Sequence, residues 1–256
     1  MKFIINSPGY NPSIGGIMAL HKLCHLMNEM GLDCKLWLWD GETNPEWNTP
    51  VADEYNGEVV IYPEIVHGNP LEAEKVVRWC LNAPGKLGGP GEYPDTDIVF
   101  YYWDFFAPKG SENILTVLEV QDCWRDLGMK RSGYCYAIRK GGDMEHKPGA
   151  VNIGATHEYS RLVALFNSKE YFYTNDDRTF LSQQAAMCGC ISVVDSEGDR
   201  TAWRRRMPIN QLGIAFGWGD DEIEHAKITK HLVRDTIEHI QAETEKQIEH
   251  LISQCG

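Results

Sequence analysis

The chain has 256 residues, 24 Lys+Arg against 37 Asp+Glu, and a formal net charge of −13. Hydrophobic residues make up 43% and aromatic residues 11%, enough to bury a sizeable core and unlike a disordered chain. This acidity argues against gripping nucleic acid or an anionic membrane through bulk electrostatics, though a local basic pocket can still hold a phosphate.

Lys2–Asn6 is a short apolar run cut off by Ser7-Pro8-Gly9, which predicts a buried first strand and is too short for a secretory core. Gly15-Gly16 opens a helix with Ile17, Leu20, Leu23, Cys24, Met27 and Met30 at helical spacing, and Gly31 stops it. Cys34–Trp39 alternates into a second strand. Strand, glycine loop, helix, strand is the start of a βαβ unit, hence of a parallel sheet covered by helices. After an irregular polar stretch over 42–58, Val59–Tyr62 predicts a third strand. Pro70 then opens a helix through Leu81, since proline suits a first helical turn. Ile98–Trp103 and Ile114–Leu118 are further strands.

The pattern restarts around 128–133. Tyr134–Ile138, Glu170–Tyr173 and Cys190–Val194 are strands, and 157–166 and Thr179–Met187 are helices. Asp220–Ser253 carries apolar residues at three-and-four spacing and reads as one long helix or two shorter ones; a continuous helix there would reach about 50 Å. These features give an α/β fold with two domains, 1–130 and 131–256, and the terminal helix 220–253 packing across the join. No apolar run approaches the roughly 18 residues of a membrane span. The eight cysteines form no C-x-x-C pair and read as buried thiols of a reducing, cytoplasmic compartment rather than as a zinc site.

Several residues have chemistry-bearing positions. Gly15 and Gly16 before a helix suit close approach of an anion or sugar; the plain alternative is a tight β-to-α turn. Asp95-Thr96-Asp97 has the spacing of a metal-holding acidic pair, but it precedes a strand and reads as a solvated approach to it. Asp104 follows the strand, at the edge where α/β sheets place ligands, and is the first candidate for proton chemistry. His21, in the helix after the glycine loop, is the second. Arg139-Lys140 follow a strand and suit a diphosphate, Arg139 by a bidentate fork. The turn Asp177-Arg178-Thr179 leads into a helix whose start offers free N–H groups to the same phosphate.

Three stretches carry a resemblance: Gly15-Gly16-Ile17-x-x-Leu20-His21, Val76-Val77-Arg78-Trp79-Cys80-Leu81-Asn82-x-Pro84-Gly85, and, most specifically, Asp177-x-Thr179-x-Leu181-Ser182-x-Gln184-Ala185-Ala186-x-Cys188-Gly189-Cys190. They resemble segments of the two-domain, metal-independent glycosyltransferases of the GT-B type that act on surface glycans. The last is similar to a donor-binding strand–turn–helix that usually carries Glu where this chain has Gln184. The resemblance implies two Rossmann-like domains with parallel sheets in a compact GT-B-like arrangement. It implies transfer of a sugar from a nucleoside-diphosphate sugar to a hydroxyl acceptor such as a glycan, with no metal and no other cofactor. Arg139, Lys140 and the helix start at Thr179 would hold the diphosphate, Asp177 and Arg178 would join the donor site, and Gln184 would approach the ribose. Gly15, Gly16 and His21 would face the acceptor. Gln184, a weaker acceptor than a carboxylate, keeps open a second reading, a non-catalytic nucleotide- or glycan-binding module. A transferase acting on nucleic-acid bases is disfavoured by the charge.

Overall fold

The computed structural model describes residues 1–138, 144–154, 158–177, 179–195 and 207–256. The chain divides into two units, Met1–Glu119 together with Ile240–Gly256, and Val120–His239.

The first unit has five parallel strands: β1 (Lys2–Ser7), β2 (Asp33–Leu38), β3 (Val59–Pro63), β4 (Val76–Cys80) and β5 (Ile98–Tyr101). Their order is β2-β1-β3-β4-β5. Helix α1 (Gly15–Glu29) makes the β1-to-β2 crossover. Alternate residues of the central strands feed two apolar clusters. Phe3, Ile5, Ile61, Val77 and Trp79 pack with α1 on one face. Ile4, Val60, Tyr62 and Val76 pack with Ala52 and Ala73 on the other.

Two sequence expectations fail here. Residues 70–81 are not a helix, because Val76–Cys80 is strand β4, buried along its whole length. Its β-branched Val76 and Val77 and aromatic Trp79 suit a pleated sheet. A strand covered on both faces lacks the polar alternation that would have announced it. Ile114–Leu118 is not a regular strand; Ile114 makes a single bridge to Tyr101 beside β5.

The second unit repeats the plan with β6 (Tyr134–Ala137), β7 (Val151–Asn152), β8 (Tyr171–Thr174), β9 (Ile191–Val194) and β10 (Ile214–Phe216). Its order is β10-β9-β8-β6-β7, again all parallel. Helix α2 (Tyr159–Ser168) precedes β8 and helix α3 (Leu181–Met187) follows it. The two short strands β7 and β10 were not expected from sequence.

The C-terminal stretch forms two helices rather than one. Helix α4 (Asp220–Thr229) gives way to a 3-10 turn at Lys230–Leu232 before helix α5 (Val233–Cys255). Residues of α5 up to His239 belong to the second unit and those from Ile240 to the first. There Ile248, Leu251 and Cys255 enter the larger apolar cluster. Among the described residues no helix is long and apolar enough to cross a membrane.

Candidate functional sites at two sheet edges

Counting strands within each unit in chain order, both sheets run 2-1-3-4-5. The direction of winding reverses between the first and third strands, and ligands of such sheets gather at that switch point, beyond the strands' carboxyl ends. The pairs that define it are β1 with β3 and β6 with β8.

In the first unit, β1 runs into Pro8, Gly9 and Tyr10. Gly9 is pressed against the loop after β2: a Cβ there would lie 2.7 Å from the Asp40 carbonyl oxygen. Asp40 Oδ1 accepts the Gly9 N–H at 3.2 Å and the Glu42 carbonyl accepts the Tyr10 N–H at 2.7 Å, tying the two loops together. Helix α1 then begins at Gly15 with no side-chain cap and no acidic residue in its first turn, so the positive end of its dipole is uncompensated. Space around Gly15 is open, and Gly16 faces Leu81, whose Cδ1 would be 3.5 Å from a Cβ.

His21 is fully buried on α1, with Nε2 2.9 Å from the Pro8 carbonyl. A carbonyl only accepts, so Nε2 carries the proton and Nδ1 the lone pair; Nδ1 is buried without a partner. Burial lowers the His21 pKa and keeps the ring neutral, with the Pro8 bond opposing in part. Asp104 opens a short 3-10 turn after β5 and is exposed. Strands β3 and β4 stand between β5 and β1, so the sheet ends that carry Asp104 and the β1 loop are separated by on the order of 14 Å. The two candidates for proton chemistry are not brought together.

The residue at this switch point that the sequence did not single out is Glu64, directly after β3. It is 3% exposed. Its Oε2 accepts the Leu81 N–H at 3.0 Å. Burial raises its pKa, an effect opposed by backbone N–H groups of Glu64, Leu81 and Asn82. An acid straight after a strand looks like an ordinary loop residue in sequence, and only the tertiary approach of the β4 loop encloses it.

In the second unit Ala137 ends β6, and Arg139 and Lys140 after it lie outside the described residues, as does Arg178. Thr174 ends β8, and its hydroxyl accepts the Asp176 N–H at 3.1 Å. Asp176 is buried and Asp177 half-buried. Thr179 Oγ1 accepts the Leu181 N–H at 3.3 Å in the turn before α3, whose N-cap Phe180 makes no side-chain cap bond. One of the N–H groups expected to face a phosphate is therefore engaged by Thr179 itself. Gln184 is half-buried on α3. Its neighbour Gln183 is buried, donating from Nε2 to Asn210 Oδ1 at 2.5 Å while its Oε1 has no partner. Asp195, following β9 on the same edge, accepts the Trp218 Nε1–H at 3.3 Å and is a further carboxylate the sequence reading passed over.

Two other features are structural. Asp97 is an ion-pair partner rather than a solvated acid: Arg78 Nε donates to it at 2.7 Å, with both side chains almost fully buried. The same guanidinium lies over the Tyr62 and Tyr93 rings at 5.0 and 5.4 Å. The eight thiols are all free, and Cys123 departs from expectation in being exposed. Burial pushes the Cys188 thiol up to about 12, far from a reactive thiolate.

No protein-family model matches the chain, and no curated protein matches it.

Proposed function

We propose that the protein transfers a sugar from a nucleoside-diphosphate sugar to a hydroxyl acceptor, in the manner of the GT-B transferases its sequence resembles. The observation that carries this reading is the repeated architecture. Two parallel sheets of identical strand order each have a switch point, and the stretches opening at Gly15 and at Asp177, which resemble the family, follow β1 and β8, the strands on either side of the two switch points. Glycosyl transfer needs two substrates, and two such edges supply one place for each. The return of α5 to the first unit fits the same plan.

The second unit would take the donor. Arg139, Lys140 and Arg178 would neutralise the diphosphate as it leaves, an electrostatic task that needs no metal. Asp177 and Thr179 would shape that turn, and Gln184 would approach the ribose. The first unit would take the acceptor at Gly15, Gly16 and the open start of α1, with His21 or Asp104 as candidates to accept its proton. The Asp97 carboxylate is engaged by Arg78.

The test is incubation with a panel of nucleoside-diphosphate sugars and glycan acceptors, reading out free nucleoside diphosphate with and without a chelator. Release that survives the chelator and depends on acceptor is the expected result. Gln184 in place of a carboxylate favours the alternative of a binding module; nucleotide-sugar binding by calorimetry with no release would establish that reading instead.

A further inference from the structure

Glu64 is an expensive residue to keep. It is 3% exposed, and among the described residues no lysine, arginine or histidine pairs with it. Backbone amides alone face its carboxylate, with the Leu81 N–H at 3.0 Å. A buried charge without a counter-charge costs stability at neutral pH, and the backbone N–H groups that face it offset only part of that cost.

Its place is specific. Glu64 follows β3, the strand paired with β1, so it stands at the switch point of the acceptor-side sheet. The Leu81 that holds its carboxylate is also the side chain facing Gly16 at the start of α1. The backbone of Glu64 is fixed as firmly as the side chain. Gly89 packs so closely that a Cβ there would lie 2.0 Å from the Glu64 carbonyl oxygen, and Tyr93 donates its hydroxyl to that oxygen at 3.5 Å. The carboxylate is thus held by the backbone of Leu81, whose side chain faces the start of α1 at Gly16.

We propose that Glu64, rather than His21 or Asp104, is the general base of the first unit, accepting the proton of the acceptor hydroxyl as that oxygen attacks the sugar. This rests on the transferase reading. The acceptor oxygen bonds to the anomeric carbon, and the bond from that carbon to the diphosphate oxygen breaks. The electron pair leaves on the nucleoside diphosphate, and the proton ends on the Glu64 carboxylate. Burial raises the pKa of Glu64, which brings its basicity closer to working pH. The titratable groups whose charge reaches it are Cys80 on β4 and Tyr93 in the following loop, and burial pushes both up and keeps them neutral.

The experiment compares the unsubstituted protein with Glu64→Gln. The expected result is a melting temperature at pH 7 no lower than that of the parent and unchanged nucleoside-diphosphate binding by calorimetry. Acceptor-dependent release should fall at least about 100-fold, the lower end of what a general base supplies. Release within about threefold of the parent would overturn the base role while leaving the transferase reading intact. A melting temperature several degrees lower would overturn it too, marking Glu64 as a structural anchor. If the parent itself consumes no donor, the transferase reading falls and the base role falls with it. The pH profile of the parent gives a check that does not depend on the variant folding. An acid limb in kcat/KM with an apparent pKa above that of ordinary glutamate supports the role, and a profile flat down to about pH 5 overturns it.

Discussion

The two units thread five parallel strands in the same order, yet they close their sheets with different chemistry. In the first, β1, β3 and β4 are buried from end to end or nearly so, and aliphatic residues dominate both faces, joined by Phe3 and Trp79 on one and Tyr62 on the other. In the second, β6 and β8 set tyrosines side by side, Tyr134 on Tyr171 at 5.3 Å and Tyr136 on Tyr173 at 5.4 Å, with Trp218 against three of the four. Along β6 buried and half-exposed residues alternate. Strand order determines where a ligand can reach; side-chain chemistry determines how the rest of the sheet is closed. The two are separable, and this chain separates them.

The largest test of that contrast is Arg78→Ala. It leaves Asp97 buried without its partner and should cost about 3–5 kcal/mol, read from denaturant midpoints. A loss under about 1 kcal/mol would mean that the first unit relies on its aliphatic packing alone. Next is Arg139→Ala, expected to weaken nucleoside-diphosphate binding by about 1.5–3 kcal/mol through loss of a charge-assisted bond. Binding of the uncharged nucleoside should change much less. Equal losses in calorimetry would place the donor's phosphates elsewhere. Thr179→Ala removes the hydroxyl that accepts the Leu181 N–H and should lower stability by about 1 kcal/mol, visible as a small fall in melting temperature.

The smallest effect is a pH dependence of opposite sign at two residues of the first unit. His21 has a lowered folded pKa, so the unfolded chain binds its proton more readily. Its contribution is fully present above about pH 6.5 and is lost as pH falls through the lowered value. Glu64 has a raised folded pKa, so stability is gained as pH falls from that value toward the ordinary carboxylate range. His21→Gln should flatten the first trend and Glu64→Gln the second, in denaturation curves measured between pH 4 and 8. No change in either slope would show that neither group titrates differently on folding.

The βαβ opening was legible because Gly15-Gly16, the helical spacing of Ile17 to Met30 and the alternation of β2 all agree. The second unit's β8, α3 and β9 were legible for the same reason. Strand β4 was not: Pro70 looked like a helix start, and a strand buried on both faces shows no period of two. The three residues of β10 and the two of β7 are too few to leave a pattern. At the sites, Gly15, Gly16 and the Thr179 turn were found because glycine and threonine mark helix starts in sequence. Glu64 and Asp195 were not, since each acquires its meaning from a loop or indole that arrives from elsewhere in the chain. Asp97 was misread for the same reason, its partner Arg78 lying on a neighbouring strand.

The passage of α5 from one unit into the other sets an order on biosynthesis. The second unit is complete once His239 has emerged from the ribosome, but the first still lacks Ile248, Leu251 and Cys255, all at most 1% exposed in the finished protein. The part made first is therefore closed last. Until then, the apolar surface of α1 and the central strands that these residues cover is open to solvent and to other nascent chains. A stalled or prematurely released chain would carry a finished second unit beside a sticky, unfinished first one, the kind of species that chaperones retain and proteases remove.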